Sequence, residues 1–160
     1  MSLAIICDQV AASIAVKKAI LDDEILINQI DKLTTDCVQC LQSSGKVIFA
    51  GSGGSFSYAQ HLSAEFISRL MFDRAPLASG VNNSAISVVG NDYGYEQVFP
   101  RKLQGVASLG SDFIPITSSV NSPNILVAVE QALKQKLKTI AITGKGDGKL
   151  VPLCDCLSVP

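Results

Sequence analysis

Three side chains able to do chemistry recur at intervals of four residues in the middle of the chain: His61, Glu65 and Arg69. Because an α-helix turns once in about 3.6 residues, this spacing puts all three on one helix face. A histidine and a glutamate four residues apart can supply two ligands to one divalent metal ion. The Glu65–Arg69 spacing is equally typical of a surface ion pair, so spacing alone leaves both interpretations open.

A glycine-rich run, GSGGS at residues 51–55, leads directly into that helix. It lacks the lysine of the nucleotide P-loop, and its glycines do not form GxGxxG. Small residues here let backbone N–H groups approach a ligand closely, and the helix start adds positive potential. A tight strand-to-helix turn needs the same glycines, so the run by itself favours neither interpretation.

A second loop, TSSVNS at residues 117–122, carries four hydroxyl groups immediately before a predicted helix. Hydroxyls together with the N–H groups of a helix start suit a phosphate without any fixed positive charge. The simpler alternative is that one serine caps the helix. Four hydroxyls exceed what a cap requires, so the pattern favours anion binding.

Composition excludes several classes of protein. The chain has 160 residues and a net charge of −1, so no basic surface predicts nucleic-acid binding. No apolar stretch approaches the length of a membrane span, and no basic leader precedes the first apolar run, so we expect a cytoplasmic protein. Hydrophobic residues make up 48% and charged residues 17%, which predicts a large core or helix faces buried between subunits.

The five cysteines include a CxxC pair, Cys37 and Cys40, which could indicate redox chemistry or zinc. Both fall on an apolar helical stripe that begins at Leu26, where free cysteine behaves as a small hydrophobic residue. We therefore predict structural burial. Cys154 and Cys156 fall in a short terminal strand, and no quartet has metal-ligand spacing.

Periodicity and turn residues divide the chain into alternating helices and strands. The glycine run and the hydroxyl loop each follow a predicted strand, and a break is predicted at 73–76. Helices are predicted at 3–20, 24–43, 55–70, 95–107 and 123–135, and strands at 46–50, 86–89, 112–116, 138–142 and 156–159.

This alternation predicts one α/β domain over residues 1–160, with parallel strands joined by right-handed crossovers. The N-terminal helices at 1–43 precede the sheet core at 46–160, and we expect their apolar stripes to pack between subunits. Ligands of such sheets bind beyond the carboxyl ends of the strands. The glycine run, residues 90–94 (GNDYG) and the hydroxyl loop are all predicted at such ends.

Four segments, GSGGSFSYAQHLSAEFISRL, VVGNDYGYEQVF, ITSSVNSPNIL and TIAITGKGDGKL, resemble the bacterial phosphoheptose isomerases, which are sugar isomerase (SIS) domain proteins. The resemblance covers nearly the whole chain. It implies a three-layer, flavodoxin-like sandwich with a five-stranded parallel sheet, and a homotetramer. It also implies interconversion of sedoheptulose 7-phosphate and D-glycero-D-manno-heptose 7-phosphate, which supplies the heptose of the lipopolysaccharide core, with one zinc ion (Zn2+) per subunit.

The resemblance also implies roles for individual residues. His61 and Glu65 match zinc positions, Glu65 matches the catalytic carboxylate, and Arg69 matches a substrate-side arginine. Ketose–aldose isomerisation moves a proton between adjacent carbons, so it needs such a base and groups that handle charge on oxygen. The implied substrate contacts are Ser52, Gly53, Gly54, Ser55, Glu65, Arg69, Asn91, Asp92, Thr117, Ser118, Ser119 and Ser122.

The chain departs from the family pattern in three places. Ser52 replaces an asparagine, and Val120 replaces a glycine, which would be costly if that position needs a positive φ. The family's C-terminal helix, with a glutamine and a second histidine, is absent before Pro160, so we expect weak or no turnover from the chain as given. The alternative function is a non-catalytic phosphosugar sensor, or a tetrameric scaffold of the replication-initiator-associating type.

Overall fold

Two long helices open the chain, as predicted. The structure is a computed structural model that describes residues 3–68, 78–79, 82–144, 146 and 148–159. Helix α1 spans Leu3–Leu21 and helix α2 spans Glu24–Gln42. Asp23 caps α2, its carboxylate accepting a 3.0 Å hydrogen bond from the Leu26 N–H. None of the described helices is both long and apolar enough to cross a membrane.

The centre of the fold is a five-stranded sheet in the order β2-β1-β3-β4-β5, with every neighbouring pair parallel. This confirms the predicted parallel sheet, although the edge strand β2 is only two residues long. The strand order reverses between β1 and β3, and ligands of such sheets bind at that reversal. The strands are β1 (Val47–Gly51), β2 (Ala78–Ser79), β3 (Asp112–Thr117), β4 (Lys138–Gly144) and β5 (Asp155–Val159).

Over the described residues, four further helices and a short 3₁₀ turn connect the strands. The helices are α3 (Gly54–Ile67), α4 (Asn83–Tyr93), α5 (Val98–Val106) and α6 (Pro123–Lys134), and the 3₁₀ turn is Tyr95–Gln97. Pro123 occupies the first turn of α6, as its fixed φ and missing N–H predict. Arg69 and the predicted break at 73–76 lie outside the described residues.

The predicted strand at 86–89 is wrong, because these residues lie in α4. The Asn82 side chain accepts a 2.7 Å hydrogen bond from the Ala85 N–H and caps the helix start. Ile86 and Val89, three residues apart, pack against the core, whereas Val88 is exposed. A short apolar run fits either period, and here the cap and the packing select the helix.

Because residues 86–89 are helical, residues 90–94 do not follow a strand. Gly90–Tyr93 form the last turn of α4, and the chain leaves the helix at Gly94 with φ +89°. A positive φ at a helix C-terminus is the usual place for glycine. The GNDYG segment is therefore the end of a helix and not a loop after a strand.

Side chains on the two faces of the sheet form two separate cores, which gives the three layers predicted for the fold. In β1, Ile48 and Ala50 face α5 and α6, whereas Val47 and Phe49 face α2 and α3. Burying a large apolar side chain contributes about 1.5–3 kcal/mol. Both faces of this sheet are covered, as expected for parallel strands.

The two cysteines of the CxxC pair lie in the core between α2 and the sheet. Cys40 is buried and Cys37 is half-buried, which confirms the structural interpretation. Burial raises the pKa of the Cys37 thiol to about 12, so the reactive thiolate is scarce at neutral pH.

A cluster of charges lies at the amino-terminal edge of the sheet. Asp36 of α2 pairs with Lys138, the first residue of β4, and with Lys32 at 3.2 Å. Burial raises the pKa of Asp36, but the hydrogen bonds from Lys138 and Lys32 outweigh this and leave it below its usual value. Burial raises the pKa of Asp112 to about 6, and within the described structure its Oδ2 atom has no hydrogen-bond partner.

Asp112 predicts a pH-dependent stability. Its pKa is about 6 when folded, against about 3.9 for an ordinary aspartate. The folded state therefore holds more protons between these values, and its free energy of unfolding falls as pH rises through that window. We expect Asp112→Asn to raise the melting temperature at pH 7.5 and to raise it less at pH 4.5. Calorimetry measures both, with the exposed Asp31→Asn as control, and an equal shift at the two pH values contradicts the account.

Candidate functional site

The candidate site is a rim formed where β1 and β3 end side by side. Gly51, the last residue of β1, pairs in register with Ile116 of β3. The glycine loop, residues 51–55, therefore starts beside the hydroxyl loop, residues 117–122. Each loop leads into the N-terminus of a helix, α3 or α6, which is where partial positive charge concentrates.

Two glycines give the glycine loop its shape. Gly53 has φ +58° and ψ −123°, a conformation that residues with a Cβ atom avoid. A Cβ at Gly51 would lie 2.6 Å from the backbone of Ser55, so the start of α3 packs directly on the end of β1. The tight turn proposed as an alternative is therefore present. It brings the first turn of α3 to the rim.

Internal hydrogen bonds organise the hydroxyl loop. Thr117 Oγ1 donates to the Ser119 carbonyl at 2.8 Å and lies 3.2 Å from Ser122 Oγ. Ser122 occupies the N-cap position of α6, yet its hydroxyl makes no capping hydrogen bond. The simple capping interpretation is therefore wrong. At the α6 start Pro123 has no N–H, and the Ile125 and Leu126 N–H groups donate to the Ser122 carbonyl, so what the uncapped helix start offers an anion is mainly its partial positive charge.

Val120 does not strain the loop. It is absent from the described non-glycine residues with positive φ, so the cost anticipated for a valine there does not arise. Its side chain is buried in the core instead. A Cβ at Gly146 would come within 3.3 Å of Val120 Cγ2, and one at Gly148 would clash with the same side chain, so valine fits because glycines stand at these two positions.

One hydrogen-bonded group joins the glycine loop to the first turn of α6. Ser52 Oγ accepts a 2.8 Å hydrogen bond from Asn124 Nδ2 of α6 and a longer one, 3.4 Å, from Tyr95 Oη. Sequence reasoning missed Asn124 and Tyr95 as site residues. Tyr95 belongs to the GNDYGYE motif that marked the family. Nothing in the pattern singled out Asn124, because its contact is 72 residues away in the chain.

Asn91 and Asp92 lie at the end of a helix and do not directly follow a strand. They lie in the last turn of α4, where Asn91 Nδ2 donates a 2.9 Å hydrogen bond to Asp92 Oδ1. Only Tyr95, just after α4, is seen to connect this segment with the rim in the described structure. The substrate contacts assigned to this pair stay predictions.

His61 and Glu65 share one face of α3, as predicted, with 3.9 Å between His61 Nε2 and Glu65 Oε1. The imidazole is 69% exposed and the carboxylate 33%. Glu65 is eleven residues beyond Gly54, so a helical rise of 1.5 Å per residue puts it about 16 Å from the helix start. The Cα atom of Glu65 therefore lies about three turns along α3 from the rim.

The same two side chains are the candidate metal ligands. A catalytic zinc site usually has three protein ligands. Among the described residues, no group of three or more histidine, cysteine, aspartate or glutamate side chains could hold a metal ion. This pair alone does not form a complete zinc site.

Comparison with known proteins agrees with this architecture. Residues 10–144 match the SIS domain. The chain belongs to the SIS domain family. Among its relatives, a phosphoheptose isomerase of Aneurinibacillus thermoaerophilus is 41% identical over 155 residues, which are 94% of this chain and 78% of the relative. Phosphoheptose isomerase 2 of Campylobacter jejuni is 40% identical over 94% of this chain and 77% of the relative.

Solved structures of SIS domain proteins show the same fold. A phosphoheptose isomerase from Neisseria gonorrhoeae superposes with a TM-score of 0.89 at 31% identity, covering 98% of this chain and 85% of that one. One from Francisella tularensis gives a TM-score of 0.88 at 32% identity, covering 100% and 86%. The family resemblance read from the sequence is thereby confirmed.

The turn of this SIS domain at Gly53 can be tested with a matched pair of substitutions. Gly53→Ala forces a Cβ into an unfavourable conformation at a cost of about 1–3 kcal/mol. Gly54→Ala meets open space and begins a helix, so we expect no destabilisation. Urea unfolding of both variants measures the difference, and equal stabilities would contradict the account of the turn.

Proposed function

We propose that this chain converts sedoheptulose 7-phosphate to D-glycero-D-manno-heptose 7-phosphate, as an isomerase that supplies the heptose of the lipopolysaccharide core. The observation that carries the proposal is the rim, where the Ser52–Asn124 hydrogen bond joins the glycine loop to α6, the helix that follows the hydroxyl loop. The phosphoheptose isomerases related to it over most of its length support the same function.

The hydroxyl loop binds the phosphate in this proposal. Ser118 and Ser119 are exposed, and the α6 N-terminus lacks a side-chain cap. Hydroxyls and backbone N–H groups neutralise a phosphate without a cation, which suits a rim with no described lysine or arginine in either loop. Anchoring the phosphate fixes the sugar relative to the catalytic groups.

Glu65 is the proposed base that moves the proton between the two reacting carbons. Isomerisation removes a proton from one carbon and returns it to its neighbour through an enediol, so one carboxylate can serve both steps. Hydroxyl donors near the oxygen atoms stabilise the negative charge that develops there. Arg69, expected on the substrate side, lies outside the described residues.

The separation of Glu65 from the rim favours a site that two chains complete. The Cα atom of Glu65 is about 16 Å along α3 from the start of the helix. We propose that a second copy supplies Glu65, within the homotetramer that the resemblance implies. The exposed apolar residues Ile6, Val10 and Ile14 of α1 are suited to bury against another copy.

Mixing two impaired variants, one that lacks the base and one that lacks the loop hydroxyls, tests this arrangement. We expect Glu65→Gln to lower kcat by about 10²–10⁴-fold, because it removes the base. Ser119→Ala/Ser122→Ala should weaken substrate binding. Chains unfolded and refolded together should regain up to about a quarter of native activity, since some sites then combine two intact halves.

Sedoheptulose 7-phosphate turnover is the readout, with the exposed Glu130→Gln as a control that should match the native chain. A mixture no more active than its two parents contradicts the shared site. A native chain that binds the sugar phosphate without forming aldose contradicts the isomerase and favours a non-catalytic phosphosugar sensor.

Zinc binding by His61 and Glu65 is a separate proposal, supported by their spacing and exposure. Since the pair supplies only two ligands, the remaining ligands would come from outside this group. Metal analysis of the dialysed protein should find zinc in the native chain and less in His61→Asn. Equal zinc content in the two proteins contradicts the proposal.

A further inference from the structure

Ser52 belongs to the glycine loop, and its neighbours in α6 and the 3₁₀ turn restrict what its hydroxyl can do. A serine hydroxyl has one proton to donate and two lone pairs that accept. Asn124 Nδ2 donates to Ser52 Oγ at 2.8 Å, and Tyr95 Oη donates at 3.4 Å. Both lone pairs are therefore engaged, and only the proton is left to make a further hydrogen bond.

No described side chain or carbonyl accepts that proton. Ser52 is exposed at the rim, so its O–H can point towards whatever the rim binds. Asn124 is 6% exposed and belongs to the first turn of α6, so the packing of that helix holds the donor in place. Asn124, which sets the orientation of the Ser52 hydroxyl, is thus buried, whereas Ser52 itself is accessible.

We infer that Asn124 is a positioning residue, which holds Ser52 as a hydrogen-bond donor to an oxygen of the bound sugar phosphate. Tyr95 assists, through a longer and therefore weaker contact. The inference rests on the proposed function for its ligand. The acceptor is either a phosphate oxygen or an oxygen of the sugar, and both accept from a hydroxyl in the same way.

Substitutions at Asn124 and Ser52 test the coupling between the two side chains. In Asn124→Asp the new carboxylate can only accept a hydrogen bond. The Ser52 hydroxyl then donates its proton to that carboxylate and not to the ligand. In Asn124→Ser the new side chain is neutral and too short to reach the Ser52 hydroxyl. We expect each to weaken sedoheptulose 7-phosphate binding by about 10-fold, the loss of one hydrogen bond to a charged group. Tyr95→Phe should weaken it less.

The same substitutions are then combined with Ser52→Ala, so that a double-mutant cycle compares the loss of binding with and without the Ser52 hydroxyl. If Asn124 acts through Ser52, Asn124→Ser should cause no further loss of binding in that background. Ser52→Asn combined with Asn124→Asp should restore binding, because an amide can donate to the carboxylate and to the ligand together. Circular dichroism melts check that each variant is folded. If neither Asn124 variant folds, the half-exposed Tyr95→Phe, with and without Ser52→Ala, gives the same comparison.

Calorimetry with sedoheptulose 7-phosphate and with inorganic phosphate separates the possible outcomes. Losses with both ligands support a phosphate oxygen as the acceptor, and losses with the sugar phosphate alone support a sugar oxygen. Equal losses with and without Ser52, or no loss at all, overturn the inference and leave the isomerase function standing. A native chain that binds phosphate but does not convert the sugar overturns the function alone. A native chain that binds neither ligand overturns both.

Discussion

The reversal of strand order between β1 and β3 is the constraint on which the rest of the structure depends. From β1 the chain crosses to β2 through α3 on one face of the sheet, and it later returns beside β1 as β3. From β3 it crosses to β4 through α6 on the opposite face. The N-termini of α3 and α6 therefore start at the same edge and diverge, which opens a crevice between their loops.

The two ends of the sheet have different chemistry. At the carboxyl edge, exposed hydroxyls and helix N-termini favour an anion. At the amino edge, Asp36, Lys138 and Lys32 compensate one another in a partly buried network, and Asp112 is held with a raised pKa. The charges that affect folding stability are thus separated from the groups assigned to the ligand by the length of the strands.

Much of the fold could be predicted from the sequence, because parallel strands buried on both faces are short, apolar and β-branched. The strand predicted at 86–89 failed because four apolar residues do not distinguish a buried strand from one face of a helix. The cap at Asn82 decides it, and a lone asparagine is a weak signal. Residue types and spacing also identified both loops of the candidate site.

Other features of the site depend on distances that a sequence does not contain. The Ser52–Asn124 hydrogen bond joins residues from two crossovers, and only the register of β1 with β3 brings them together. Spacing correctly placed His61 and Glu65 on one helix face. The separation of Glu65 from the start of α3 follows from the direction in which α3 leaves the sheet, and it is the reason for proposing that a second copy supplies Glu65.

A crystal structure of the chain with sedoheptulose 7-phosphate tests the central claim most directly. The account predicts the phosphate at the rim, within hydrogen-bond distance of Ser119 or Ser122 and beside Ser52, with the α6 N-terminus directed at it. A sugar phosphate bound away from the ends of β1 and β3, with the rim left to solvent, would contradict it.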